Sequence, residues 1–159
     1  MNAPQKPRSP LKPLDEALAD LLAHAQPLPG LETVDTFNAD GRVLAQDCVS
    51  ALHVPPQDNS SMDGYAVRLT DVAAVGVVLP VSQRIAAGSA GEPLAAGTAA
   101  RIFTGAPVPE GADAILMQED CEALAAAEGL GQVRINAVPA AGQWIRSAGA
   151  DITPGAVGL

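Results

Sequence analysis

Two short stretches carry the residues whose types could do chemistry. "PPQDNSSMDGYAVR", residues 55–68, sets Asp58, Asn59, Ser60, Ser61 and Asp63 in a polar run that turns at Gly64 into apolar Tyr65-Ala66-Val67. "RIFTGAPVPEGADAI", residues 101–115, puts Thr104 at the end of an apolar run, just ahead of Gly105. A carboxylate accepts hydrogen bonds or faces a cation, and a threonine hydroxyl can donate to an oxyanion or cap a turn. The residues of 58–61 can fold their side chains onto nearby amides, and Asp63-Gly64 is a turn dipeptide. By itself, then, the first stretch reads as a stiff connector into a strand, with Asp63 a turn former. A lone Thr-Gly pair says no more. Gly105 permits unusual backbone angles or the close approach of another group.

Other chemistries find no residues. The two histidines, His24 and His53, lack partners at a spacing that makes a catalytic pair. His24 reads as a solvated helix-end residue. No HExxH, DxDxDG, GxxxxGK[ST] or GxGxxG pattern occurs. Cys48 and Cys121 are too few for a disulfide framework or a zinc ribbon, and free thiols fit a cytoplasmic chain. The net charge of −9 argues against a nucleic-acid partner. No apolar run approaches the ~20 residues of a membrane span. An anionic ligand would need a local basic cluster, for which Arg68, Arg101, Arg134 and Arg146 are candidates.

The elements that must position these residues follow from the apolar pattern. The start, "MNAPQKPRSPLKP", is proline-rich and basic and reads as a disordered leader over 1–13. The spacing of Leu14, Leu18, Leu21, Leu22 and Ala25 predicts a helix over 14–25 with one buried face, stopped by Pro27 and Pro29. "LETVDTF" and "QDCVSAL" read as strands, the second with Cys48 inside, and "NADGRVLA" as one or two helical turns. "GYAVRL", "ARIF" and "AILMQE" read as strands, and "VGVVLPVSQRIAAG" as strand broken near Pro80. "EALAAAEGLG" fits a helix on propensity, but its glycines favour a hairpin into "QVRIN". Aromatics are 3% of residues, so the core must be built from Ala, Val, Leu and Ile. The final "ITPGAVGL" reads as cut rather than finished.

Taken together and in order, "GRVLAQDCVS", "PPQDNSSMDGYAVR", "RIFTGAPVPEGADAILMQED" and "GQWIRSAGADITPGA" resemble the molybdopterin molybdenumtransferase (MoeA) family, which includes a matching domain of gephyrin. The resemblance runs from about residue 14 to the end. It implies insertion of molybdenum from molybdate into adenylylated molybdopterin, with release of AMP and a need for Mg²⁺. It also implies an elongated homodimer of four-part subunits, of which this chain would be the N-terminal portion. The active cleft of such proteins lies between this portion of one subunit and the α/β domain of the other. Asp63 and Thr104 match positions at that cleft and are the implied catalytic residues. Ser61, Gly105 and Arg146 are the implied ligand-binding residues. Gln57 departs from the usual aromatic and Ser61 from the usual alanine. Ser147 and Ala148 stand where some members carry further arginines.

The implied fold is α+β. A helix-containing subdomain comes from both chain ends, 14–50 and 141–159, with a β-rich subdomain, 51–140, inserted between them. A carboxylate facing anions bare would repel them, so Asp63 is expected to act through a cation, a water or a donor group of the ligand. Thr104 can donate to an oxyanion without that penalty. On its own the portion is expected to be inactive. The alternative is a non-catalytic scaffold module of the same fold, as in gephyrin.

Overall fold

A computed structural model describes residues 11–26 and 29–158. Most of the expected leader, and Pro27 as a helix stop, lie outside the described residues. The chain divides into two units, 1–45 and 46–159, each described by itself.

In the first unit the one described α-helix, α1, spans Leu14–Ala23. Asp15 and Glu16 occupy its first turn, where the helix dipole favours negative charge. It ends at His24, whose N–H and that of Ala25 donate to the carbonyls of Leu21 and Leu22 in tight final turns. The apolar stripe forms as its spacing predicts, but it is not buried: Leu14 is 81% and Leu21 72% exposed. Among the described residues of this unit there is no second layer for the stripe to cover. "LETVDTF" is not a strand either. It is extended and then closes as a short 3-10 turn, Thr36–Asn38, with no ladder partner beside it among the described residues. "NADGRVLA" holds turns and no α-helix.

The second unit is built on a six-stranded sheet in the order β5-β2-β4-β3-β7-β6. Its strands are β2 (Gly64–Val67), β3 (Val78–Ile85), β4 (Ala99–Ile102), β5 (Ala114–Met117), β6 (Cys121–Leu124) and β7 (Gln132–Ile135). A two-stranded pair, β1 (Asn59–Ser60) with β8 (Ile145–Arg146), stands beside it. All neighbours in the large sheet are antiparallel except β3 and β4, which run parallel. Parallel neighbours need a crossover, and here residues 86–98 supply one without a helix. That crossover lays buried Leu94 on one sheet face, tied by its N–H to the Glu110 carbonyl at 2.8 Å. "EALAAAEGLG" takes the hairpin form, joining β6 to β7.

Both faces of the sheet are covered, so β2 is buried along its whole length. Tyr65, Val67, Leu79, Leu116, Val133 and Ile135 pack one core; Ala66, Ile85, Leu94, Ile102 and Ile115 pack the other. Tyr65 is the one aromatic among the described buried residues, as the composition requires. β3 runs unbroken through Pro80, which lies at an exposed position. The irregularity falls two residues later: the register passes from Val81↔Ala99 to Gln83↔Ala100, so Ser82 is bulged. A one-residue bulge changes the face to which later side chains point. Leu79 therefore joins the first core and Ile85 the second, although they share parity.

"QDCVSAL" makes only an isolated bridge, Val49↔Val157, and Cys48 is exposed rather than inside. The backbone over 48–54 pairs with 152–158: the Ser50 N–H donates to Ala156, the Val54 N–H to Ile152 and the Gly158 N–H to Cys48. The expected helical subdomain from both ends does not emerge from these contacts. What the described residues display is a sheet-dominated fold with one helix.

Gly64 is the tightest point of the sheet. A Cβ there would lie 1.7 Å from the Leu116 carbonyl oxygen, which is backbone and cannot swing away. Gly97 has φ +72° but nothing within 4 Å of such a Cβ. Gly64→Ala is therefore expected to lower the unfolding free energy by about 3 kcal/mol or more. Gly97→Ala should lose only the left-handed backbone penalty of about 1–2 kcal/mol. Urea denaturation of the two variants checks the contrast.

Candidate functional site

The polar stretch ahead of β2 is clamped between two other segments. The Ser60 N–H donates to the Ala106 carbonyl, and the Ser60 carbonyl accepts from the Gly105 N–H at 2.8 Å. The Val108 N–H donates to the Asp58 carbonyl, and the Ser61 N–H to the Trp144 carbonyl. Asp58 does not close a local turn; its Oδ1 accepts from the Ala148 N–H at 2.8 Å. Ser60 does close one. Its hydroxyl donates to the Met62 carbonyl at 2.6 Å and accepts from the Met62 N–H, and the residue is 1% exposed. The Gln118 N–H then anchors the Asp63 carbonyl at 3.0 Å. Between this last bond and the packing of Gly64, Asp63 has a fixed backbone.

Thr104 arrives from the neighbouring strand. β4 ends at Ile102, and a turn closes from the Ala106 N–H to the Phe103 carbonyl, with Gly105 at φ +78°. At that angle a side chain is strained, and this is what the glycine supplies; nothing approaches its Cβ position closer than 3.8 Å. The turn aims Thr104 at Asp63. Asp63 Oδ1 accepts from both the Thr104 N–H and the Thr104 hydroxyl, each at 2.8 Å. Both bonds favour the ionised carboxylate. They hold Asp63 below the ordinary Asp range, the backbone bond more than the hydroxyl, with the charge of Arg101 adding a little. The carboxylate is solvent-exposed and its Oδ2 has no donor among the described residues.

The sequence expectations fare differently. Asp63 and Thr104, far apart in the chain, are brought into direct contact. The Thr104 hydroxyl has a single proton, and it is used on Asp63. Donation to a ligand oxyanion would require that bond to break, so in this arrangement Thr104 positions Asp63. Ser61 is fixed through its N–H and leaves its hydroxyl without a protein partner among the described residues. The Gly105 N–H is taken by Ser60, so Gly105 contributes turn geometry. Arg146 pairs with Asn59 in register on β8, and its guanidinium is ion-paired with Asp151. Of the other arginine candidates, Arg68 pairs with Asp71 and Arg134 with Glu122.

Arg101 is different. Its Nη2 donates to Gln118 Oε1 at 2.7 Å and its Nη1 to the Gly64 carbonyl at 3.2 Å. Its guanidinium lies over the rings of Tyr65 and Phe103, 5.1 and 4.7 Å from their centroids. With Tyr65, Gln118, Cys121 and Ala123 it lines an open depression of about 420 Å³. Burial, followed by the charge of Asp120, pushes the Cys121 thiol up to about 12, so it is a packing thiol and not a nucleophile. Arg84 went unnoticed in the sequence; its guanidinium lies 4.4 Å from the Phe103 centroid. Only the bulge at Ser82, which no local pattern announces, brings it there.

The residues present do not make a Mg²⁺ shell. Among those described, no group of three or more His, Cys, Asp and Glu side chains comes together. Mg²⁺ asks for near-octahedral oxygen ligation, and Asp63 offers one exposed carboxylate with half its acceptor capacity already used.

The second unit is a mixed-sheet domain that presents an exposed carboxylate locked by a threonine from the adjacent strand. Residues 12–159 match the model of the MoeA N-terminal region (domain I and II), and the chain belongs to the MoeA family. It is 40% identical over 146 residues to molybdopterin molybdenumtransferase 2 of Mycobacterium tuberculosis, with 87% of this chain and 33% of that protein covered. It is 34% identical over 146 residues to the molybdopterin molybdenumtransferase of Haemophilus influenzae, covering 92% of this chain and 35% of that one. The crystal structure of the molybdopterin biosynthesis MoeA protein from Pyrococcus horikoshii superposes with a TM-score of 0.77 at 34% identity, covering 94% of this chain and 40% of that one. The chain thus spans about a third of the length of these curated relatives.

The two donors on Asp63 have a measurable signature. Thr104→Val removes the hydroxyl bond and keeps the larger backbone one, so the Asp63 pKa should rise part of the way back towards 3.8. Carboxyl ¹³C NMR titration reads this directly. Because the folded value is depressed, the stabilisation from this pair is present above the ordinary Asp value and is lost as pH falls through the lowered one. The variant should therefore lose less stability than the parent on acidification through that window.

Proposed function

We propose that this chain forms the N-terminal part of an enzyme that inserts molybdenum from molybdate into adenylylated molybdopterin. The observation that carries the reading is the Asp63–Thr104 pair, a rigidly held, exposed carboxylate where the family resemblance expects a cleft residue. The relatives' names support the chemistry: they are molybdopterin molybdenumtransferases.

In this reading Asp63 stays ionised at neutral pH, and its Oδ2 faces the ligand. An anionic ligand cannot sit bare against that oxygen, so Asp63 accepts a hydrogen bond from a donor group of the ligand or from a water that the ligand holds. Thr104 keeps Oδ1 occupied and so fixes the direction in which Oδ2 points. Ser61 offers a free hydroxyl beside it. Arg146 would have to leave Asp151 to meet an anion, which makes it the weakest of the ligand-binding assignments. Mg²⁺ would take its ligands outside this chain, and no step here runs through it.

The rest of the assignment stands on the resemblance. It comprises a homodimer whose partner completes the cleft, a cytoplasmic setting, and no nucleic-acid or membrane partner. The grouping of 14–50 with 141–159 around an inserted 51–140 is also kept as part of the proposal.

The test joins this chain to the remaining region of the Haemophilus influenzae relative and measures molybdenum insertion into adenylylated molybdopterin. Asp63→Asn is expected to slow insertion by about 100-fold, the scale of a lost ionised catalytic group. Thr104→Val should cost less, and Thr104→Ser should restore most of the parental rate. Insertion by Asp63→Asn at the parental rate would sink the role given to Asp63.

A further inference from the structure

Ion pairing leaves an imbalance in the second unit. The chain carries 18 acidic and 9 basic residues, so a carboxylate is plentiful for every cation. Each described lysine or arginine other than Arg84 and Arg101 has a carboxylate within ion-pair distance. Arg84 and Arg101 have none, yet they are direct neighbours: their Cα atoms are partners across the parallel β3–β4 ladder. Like charges placed directly opposite repel, and the fold adopts a bulge at Ser82 that puts them there.

What holds them is Phe103. Both guanidinium groups lie over its ring, at 4.4 and 4.7 Å from the centroid. A guanidinium held by its face keeps its N–H edge available for an oxyanion. Arg101 uses two N–H groups on Gln118 and Gly64. Arg84 donates to no protein group among the described residues and is exposed. Of the carboxylates near Arg101, two are engaged through one oxygen each, and Asp120 shares with Arg101 the neighbourhood of Cys121. Asp63 accepts two bonds from Thr104, and Glu119 accepts from Gln118 Nε2 at 3.2 Å. Phe103 directly precedes Thr104, and Gly64 directly follows Asp63, so the arginine pair stands next to the carboxylate along both strands.

We propose that Arg84 and Arg101, stacked on Phe103, form a binding site for a tetrahedral oxyanion beside the Asp63–Thr104 pair. Molybdate and a phosphate group share that chemistry. The site then complements its neighbour: Asp63 rejects anions and accepts donors, while the arginine pair takes the anionic end of the same ligand. This rests on the proposed function only for which oxyanion is the physiological one.

The experiment uses the full chain and no turnover, so it can fail while the molybdenum-insertion reading holds, and the reverse. Arginine Nε–Hε resonances are followed by NMR during titration with molybdate, with inorganic phosphate, and with chloride at matched ionic strength. Saturable shifts are expected at Arg84 and Arg101, but not at Arg134 or Arg146, with either oxyanion and not with chloride. Arg84→Gln and Arg101→Lys should each weaken binding about tenfold, the scale of one charge-assisted bond. Arg84 is exposed, so its variant should keep the parental amide spectrum and report on binding alone. Tighter binding of molybdate would mark the site for the metal substrate, and tighter binding of phosphate for the phosphate end of the pterin ligand. Shifts that never saturate, or that are equal at all arginines, would overturn the proposal.

Discussion

Everything in the second unit hangs on how closely β2 approaches β5. The Leu116 carbonyl occupies the space that any side chain at residue 64 would need. That approach seats β2 between β4 and β5, with ladders on both sides. It sets where Asp63 leaves the sheet and where Thr104 must stand to meet it. The polar run before it is fixed in turn by backbone bonds to 105–108 and by bonds to 144–148, so the loop is held firmly although its regular structure is only the two-residue β1. A carboxylate that must point in one direction needs such a frame. The stiff-turn reading and the functional reading of the stretch are thus two descriptions of one object.

The local electrostatics follow a simple division. Around the sheet most cations are cancelled by adjacent carboxylates, which suits a chain with a large negative excess. Next to Asp63 the pattern breaks. The negative group is satisfied by neutral donors, and the positive groups by aromatic faces. The two signs meet only through the modest pull of Arg101 on Asp63. The proposed site would recognise a ligand bearing donors at one end and an anion at the other.

Much of this was legible from the residues. The apolar runs "GYAV", "ARI" and "AILM" are buried through most of their length in the sheet, and their flanking turn residues mark their limits well. The Gly129-Leu130-Gly131 signal selected the hairpin over a helix that propensity alone would allow. What failed was strand prediction where, among the described residues, pairing is absent or limited to a single bridge. "LETVDTF" and "QDCVSAL" have strand-like composition, but a strand is a property of two segments, and these have at most one bridge. The helix at 14–23 failed in a different way: its period was right and its burial was not. The contact between Asp63 and Thr104 was not visible in spacing at all. The resemblance of ordered motifs assigned both residues to one cleft without joining them; the bonds between them appear only in the structure and give Thr104 a positioning part.

The bulge at Ser82 makes β3 two half-strands of opposite phase. A ladder drawn straight through it would set Arg84 opposite Ile102, which is fully buried. A chain lacking Ser82 would keep every later pairing and every face. Length at this one position is therefore more forgiving than residue type is further along the strand. A chain one residue shorter at this point would carry a smoothed ladder and not a lost strand.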